Sequence, residues 1–449
     1  MAQIAAKLDD VSRQIEVITR QVELASQLGN HANVLLAAET ALSLARQVQD
    51  LKLEADSLDA LGEANFGLGE FEQAYEYHSD ALHICQVLDD QDCEAHNRWH
   101  LGRIARILGK PNEAQEHLET ALTLHRTSLN QPGEVDTLNE LGNLTQDFAL
   151  QRDYHEQSLD IAQAMGDRYR MSRAYNNLAL TYWSLGLYDR AREYVELAVK
   201  IEREMQGRFN LSHYLETLGR VYLELGEHFQ AKQVFEEGRA LAIEIGDRGT
   251  ESLYWYSLGR VQLAQGNAAS ACKLMHVACD MQQEMGLLGY LFTSQAWLGK
   301  AYSERDNGQA AEHYTAEAVA CLQAAGGTGE YLPQEAWWLR YQILKGSQDS
   351  SSSVTEADNA WKALQNAHAT MLAGIANLSD EGLRRNYLNR VPVNRAIINE
   401  WTHQLAVRHE GEALAKAIAA IEPSPDGTIK PEQLKDRLKR VLDISVRMN

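Results

Sequence analysis

A leucine-glycine pair recurs along this chain at a spacing that leaves few folds open to it. The pair stands at Leu61-Gly62, Leu101-Gly102, Leu141-Gly142, Leu218-Gly219, Leu258-Gly259 and Leu298-Gly299, with Leu178-Ala179 in the remaining slot. Successive copies are 40 residues apart, save one step of 37. Seven residues after most of the small residues comes a second glycine, at Gly69, Gly109, Gly186, Gly226 and Gly266. A further 12 residues on come Ala81, Ala121, Ala198, Gly238 and Ala278, and Gly29 with Ala41 marks an earlier copy. A fixed period of this length signals one supersecondary unit repeated in a stack.

Each copy reads as a helical hairpin. The first small residue lets two helices approach closely, the second glycine takes the left-handed conformation that ends helix A, and the later alanine lets helix B pack on the next unit. No single hairpin buries its apolar face, but about eight in a stack share a continuous core. The expected fold is therefore all-α, a right-handed α-solenoid with an irregular helical C-terminal extension. Only 7 prolines in 449 residues agree with long helices.

The stretch NNLALTYWSLGLYDRAREYVELAVKI, residues 176–201, resembles the tetratricopeptide repeat in its Leu-Gly, Tyr, Ala, aromatic and Ala positions, with Ala179 in the glycine slot. Its 40-residue period is similar to the extended arrays of LGN/Pins-type scaffolds, kinesin light chains and MalT-like regions. The resemblance covers roughly residues 5–325 and implies a non-enzymatic module that holds a protein or peptide in a concave groove. It departs at residues 142–158, where three residues are missing and Ala149 answers Gly109, which predicts a shortened or bent hairpin.

Beyond Gly326-Gly327 the period stops. Residues 326–378 read as a helical capping layer, with Pro333 in the first turn of one helix and a long helix over about 355–377. Residues 379–449 read as a helical connector in which two helices meet at Val391-Pro392 and a last amphipathic helix spans about 431–448. The arginine-rich NRVPVNR element resembles the junction between a tetratricopeptide array and a GAF domain in bacterial multidomain signalling proteins. Leu434, Leu438, Val441 and Ile444 form a stripe that would suit a homodimer.

The chain carries 42 Lys and Arg against 63 Asp and Glu, a formal charge of −21. Residues 379–449 hold 12 basic and 10 acidic side chains, so the acidity belongs to the repeats. Such a surface repels phosphate backbones, and no nucleic-acid partner is expected. Arg384, Arg385, Arg390 and Arg395 are expected to pair with the array or a neighbouring domain. No stretch is apolar enough for a leader or membrane span. Five sparse cysteines, odd in number, read as reduced thiols of a cytoplasmic protein.

Motifs for zinc hydrolysis, phosphate loops and nucleophile elbows are missing, so no enzyme activity, cofactor or metal is expected. Cys272, His276 and Cys279 share one helix face, a spacing that burial in the core explains better than a metal. Tyr182, Tyr222, Tyr302 and Phe235 read as core. The residues two before and two after each leucine should line the groove, and the series begins with Asp59/Glu63. It continues through Trp99/Arg103, Asn139/Asn143, Asn176/Leu180, Glu216/Arg220, Tyr256/Arg260 and Ala296/Lys300. Arg103, Arg220, Arg260 and Lys300 thus share a register, with asparagines between them. Guanidinium groups grip carboxylates, and asparagine amides pair with peptide backbone. The pattern predicts a peptide or protein partner of acidic character, bound by arginines that face solvent. A second reading makes the array a ligand-responsive switch for a downstream GAF, kinase or ATPase domain.

Overall fold

The computed structural model describes residues 17–22, 31–327, 331–347, 354–376, 378 and 380–408. The last helix expected from the sequence, over 431–448, and the homodimer built on it lie outside these residues, as does Gly29. Besides a helical stretch at 17–22, the described residues form nineteen helices and no strand. In order these are α1 (His31–Val48), α2 (Leu51–Leu68), α3 (Phe71–Val87), α4 (Gln91–Ile107), α5 (Pro111–Thr127), α6 (Gln131–Leu144) and α7 (Phe148–Met165). There follow α8 (Arg168–Ser184), α9 (Tyr188–Met205), α10 (Arg208–Glu224), α11 (His228–Ile245), α12 (Arg248–Ala264), α13 (Ala268–Glu284), α14 (Leu288–Ser303) and α15 (Gly308–Ala324). The non-repetitive end contributes α16 (Pro333–Gly346), α17 (Val354–Ala373), α18 (Glu381–Arg390) and α19 (Pro392–Val407). Consecutive helices pack as pairs, α2 with α3, α4 with α5, α10 with α11, α12 with α13 and α14 with α15.

The helices fall into two compact units. One comprises Met1–Thr145 and Leu150–Ala174, the other Gln146–Ala149 and Tyr175–Asn449.

The repeat's small residues do the expected work. Gly69, Gly109, Gly186, Gly226 and Gly266 all have φ between 70° and 83°, each ending a helix A in the left-handed region. A side chain on Gly219 would collide with the ring of Phe235, which is fully buried on α11. Ala81, Ala121, Ala198 and Ala278 are completely buried. Where the series has Gly238, the space is filled from the following helix by Tyr254, whose hydroxyl donates to the carbonyl of Ser212. Tyr182 and Phe235 are core as expected, whereas Tyr222 and Tyr302 are only half-buried and place their hydroxyls against Glu196 and His276. The deletion near residue 145 shortens α6 to 14 residues against 17 in α4, and Thr145 leaves that helix in extended backbone.

The connectors from each helix B to the next helix A also turn through the left-handed region, often without glycine, as at Gln49, Asp89, Leu129 and Gln206. Several then start the next helix with a side-chain cap. Asp247 is one, accepting from the Thr250 N–H at 3.0 Å and its hydroxyl at 2.7 Å, with His213 Nε2 at 3.2 Å. Burial alone would raise its carboxyl, but the His213 imidazole and the Thr250 donors outweigh this and hold it at about 2, down from 3.8. The folded chain therefore binds this proton less readily than the unfolded chain, and the stability Asp247 contributes is present above pH 3.8 and lost as pH falls towards 2. Asp247→Ala is expected to cost about 1–2 kcal/mol at neutral pH. In urea titrations the variant and the parent should converge on acidification through that window.

Two sequence expectations are corrected, the reduced state of Cys85 and Cys93 and the pairing of the tail arginines with the array. Cys85 and Cys93 are not free thiols: they close a disulfide between the last turn of α3 and the first of α4, their Cα atoms 5.5 Å apart. Cys272 and Cys279 remain unpaired and buried in the core, and Cys321 is half-buried. Arg384, Arg390 and Arg395 are exposed and make no ion pair with the repeats among the described residues, and Arg385 pairs with Glu381 one turn earlier at 3.0 Å. What fastens this segment is apolar. Tyr387, Leu388, Val391 and Ile397 join Met371, Ile375 and Leu185 in one buried cluster. Gln334 crosses that layer, donating to the Tyr387 hydroxyl at 3.0 Å and to Asn394 Oδ1 at 2.8 Å.

Candidate functional site

The expected groove residues of the second unit are Asn176 on α8, Glu216 and Arg220 on α10, Tyr256 and Arg260 on α12 and Lys300 on α14. Helical i, i+4 spacing puts each pair on one side of its helix A. The chain itself covers part of this row. Tyr331 and the first turns of α16 lie over it, and the Tyr331 hydroxyl donates to Glu216 at 3.1 Å. The Arg220 guanidinium is sandwiched between the rings of Trp183, at 4.0 Å, and Tyr331, at 4.3 Å, and stands 3.6 Å from Glu216. Arg260 stacks on Trp297 at 4.1 Å and reaches Glu224 at 3.5 Å. Trp297 in turn donates its indole N–H to Glu335 of α16 at 2.9 Å.

The expectation of solvent-facing arginines fails here. The side chains of Arg220 and Arg260 retain only 11% and 15% of their exposure, because aromatic rings from the repeats and from Tyr331 enclose them. Stacking on a ring face suits a planar, weakly hydrated guanidinium. Burial raises the carboxyls of Glu216 and Glu335, each partly offset by its arginine. Burial works against the Arg260 charge, but Tyr256, Glu224 and Glu335 outweigh it and its pKa rises. Tyr256 is itself buried, which pushes its hydroxyl up. Asn176 is buried with Oδ1 unpartnered among the described residues.

Between this row and the C-terminal helices remains a cavity of about 300 Å³. Arg260, Lys300, Glu224 and Glu335 supply its charges, and Trp183, Trp297 and Trp338 its aromatic wall. Lys300 keeps a third of its side chain exposed, bound to Glu304 of its own helix at 3.4 Å. Fixed charges inside apolar walls fit a small ligand or the end of a peptide. Sequence reasoning missed Trp183, Trp297, Tyr331 and Glu335. Trp297 sits beside the counted Ala296, Trp183 lies three residues past the counted Leu180, and only the tertiary fold brings residues 331–335 onto α10 and α14.

In the first unit the remaining expected residues do not form one surface. Arg103 stacks on Phe66 at 4.0 Å and lies 5.8 Å from the Trp99 ring. Asn139 is fully buried and donates to the Val135 carbonyl of its own helix at 3.0 Å, so its amide is not displayed for a peptide, and Asn143 is exposed.

A family model of the tetratricopeptide repeat matches residues 52–127, and a second matches residues 172–205. Human G-protein-signaling modulator 1 is 26% identical over 170 residues, covering 32% of this chain. The match takes in only 25% of that relative's length. Among solved structures, a signal transduction ATPase with numerous domains, carrying a tetratricopeptide repeat sensor, from Pyrococcus horikoshii, has a TM-score of 0.55 at 13% identity. It covers 81% of this chain, and the chain spans 54% of that protein. A Rap protein complexed with competence and sporulation factor has a TM-score of 0.52 at 13% identity, over 70% of this chain and 99% of that one. At such identities the likeness is one of fold. The two matched segments are thus tetratricopeptide repeats, and the paired helices and glycine-ended turns continue on either side of them.

Proposed function

We propose that the chain is a non-enzymatic tetratricopeptide module that recognises an acidic peptide or protein segment and senses it through the 331–339 segment. The observation that carries this reading is the cavity in which Arg260 and Lys300 stand among tryptophan rings, with Glu335 of the chain's own segment already against that wall. Glu335 marks where a ligand carboxylate would sit. A ligand that fills the cavity adds charge beside Lys300, and one that displaces Glu335 also frees Tyr331 and α16, which is the switching alternative. The Rap structure, which has a similar fold and is complexed with competence and sporulation factor, supports the reading of this fold as one that binds a ligand.

The test is titration of the full chain with short peptides, read from the fluorescence of the cavity tryptophans. Peptides rich in glutamate and leucine should bind and their glutamine counterparts should not. Lys300→Glu should weaken binding at least tenfold, about 1.4 kcal/mol. Its melting temperature should stay near the parent's, because a half-exposed ion pair within one helix adds little to folding. Equal affinity for both peptide classes, or unchanged affinity in the variant, would remove this site from consideration.

A further inference from the structure

The acidic pair that heads the groove series, Asp59 and Glu63 on α2, meets a histidine pair of the same i, i+4 spacing on α4, His96 and His100. His100 Nε2 stands 3.2 Å from His96 Nε2 and 3.5 Å from Glu63 Oε1. His96 Nε2 is also 3.3 Å from Asp59 Oδ2. Three donor atoms, one each from Glu63, His96 and His100, all lie within 4.8 Å of one another. A second ring, His78 on α3, stacks on His100 with centroids 4.2 Å apart and planes 10° from parallel, holding that imidazole in place. His78 Nδ1 faces the other oxygen of Asp59 at 3.3 Å and Asn97 Oδ1 at 3.0 Å.

No placement of ring protons makes all these contacts favourable. If both Nε2 atoms carry hydrogen and point to their carboxylates, two N–H groups face each other at 3.2 Å. If only one does, a carboxylate faces a bare nitrogen lone pair. A cation among them reverses the sign of every contact. Zinc held at about 2.0–2.2 Å by nitrogen and oxygen places neighbouring tetrahedral donors about 3.3–3.6 Å apart. The His96–His100 and His100–Glu63 separations of 3.2 and 3.5 Å are close to this, and Glu63 and His96 lie within 4.8 Å of each other, on the two sides of His100. The i, i+4 pair on one helix face is a spacing by which two imidazoles reach one metal.

We propose that Glu63, His96 and His100 bind one divalent late first-row cation of the zinc type, with Asp59 beside the fourth position. Imidazole with carboxylate selects this class over calcium or magnesium, which take oxygen ligands. His100 is buried at 5% exposure, while His96 and Glu63 keep 45% and 49%, so an ion enters from solvent on one side and meets a fixed ring on the other. The metal would tie helix A of one repeat to helix A of the next. The site lies in the first unit and is independent of the peptide cavity.

The experiment is calorimetric titration of ZnCl₂ into the full chain, stripped with chelator, dialysed and kept free of thiols, with Co²⁺ as spectroscopic substitute. One equivalent of zinc should bind, and cobalt should give the intense visible absorption of a tetrahedral site. His96→Ala and Glu63→Gln alter half-exposed side chains, and circular dichroism should show both folded. Each should weaken zinc at least tenfold. The proposal is overturned if the folded parent takes up no zinc at tens of micromolar, or if both variants bind it as the parent does, since the metal would then sit elsewhere.

Discussion

Arg220→Glu should lower the stability of the second unit by about 3–5 kcal/mol, the cost of leaving a buried charge without its partner. Glu216 is 6% exposed and has Arg220 at 3.6 Å, so the variant would set a second carboxylate where the counter-ion was. The flat contacts with Trp183 and Tyr331 vanish as well. Urea midpoints measure the loss. Its pH dependence identifies the cause: Glu216 is already raised above 4.5 by burial, so the folded chain holds that proton more tightly than the unfolded chain. Stability associated with it is greatest below pH 4.5 and falls as pH rises through the folded value, and removing Arg220 moves that value further up. The deficit should therefore shrink on acidification. Arg220→Lys should fall between, since it keeps the charge and loses the planar stack. A variant as stable as the parent at neutral pH would mean that Arg220 is not enclosed.

Phe235→Ala is expected to cost about 3–5 kcal/mol through the cavity it leaves. The ring is completely buried on α11, fills the space above Gly219 and meets the Tyr254 ring edge-on at 6.1 Å. Neighbouring backbones are held by their own hairpins and cannot close on the void. Tyr222→Phe is the control, removing one exposed 3.1 Å hydrogen bond to Glu196 and costing less than about 1 kcal/mol. Calorimetric melting of both variants separates a repeat core site from a surface one.

The hairpins were legible because each rests on contacts within one period. Gly219 meets Phe235 sixteen positions on, and Gly69 ends its own helix, so spacing alone reveals them. Pro333 at the start of α16 and Pro392 at the start of α19 were legible for the same local reason. Contacts across periods left no such trace. Tyr331 and Glu216 are 115 residues apart, and nothing at either position announces the other. The arginines were found by register, yet their enclosure depended on rings supplied from α8, α14 and residue 331. The histidine cluster draws on three helices whose members fit no known motif as a string. The Cys85–Cys93 disulfide was missed because an odd count of sparse cysteines describes a whole chain and says nothing about two residues on either side of a turn.

Gly186 differs from the other left-handed glycines that end helix A in having a neighbour. A side chain there would lie 2.8 Å from the backbone of Arg390 and Val391, while Gly69, Gly109, Gly226 and Gly266 face open space. Together with the Tyr331–Glu216 and Glu335–Trp297 contacts, this fixes the C-terminal segment at three points, on the hairpins α8–α9, α10–α11 and α14–α15. Repeat arrays ordinarily gain and lose copies freely, since each unit touches only its neighbours. This one cannot. Adding or removing a 40-residue copy between Gly186 and Gly326 would carry one anchor away from the others, so the segment works as a gauge that counts the hairpins beneath it.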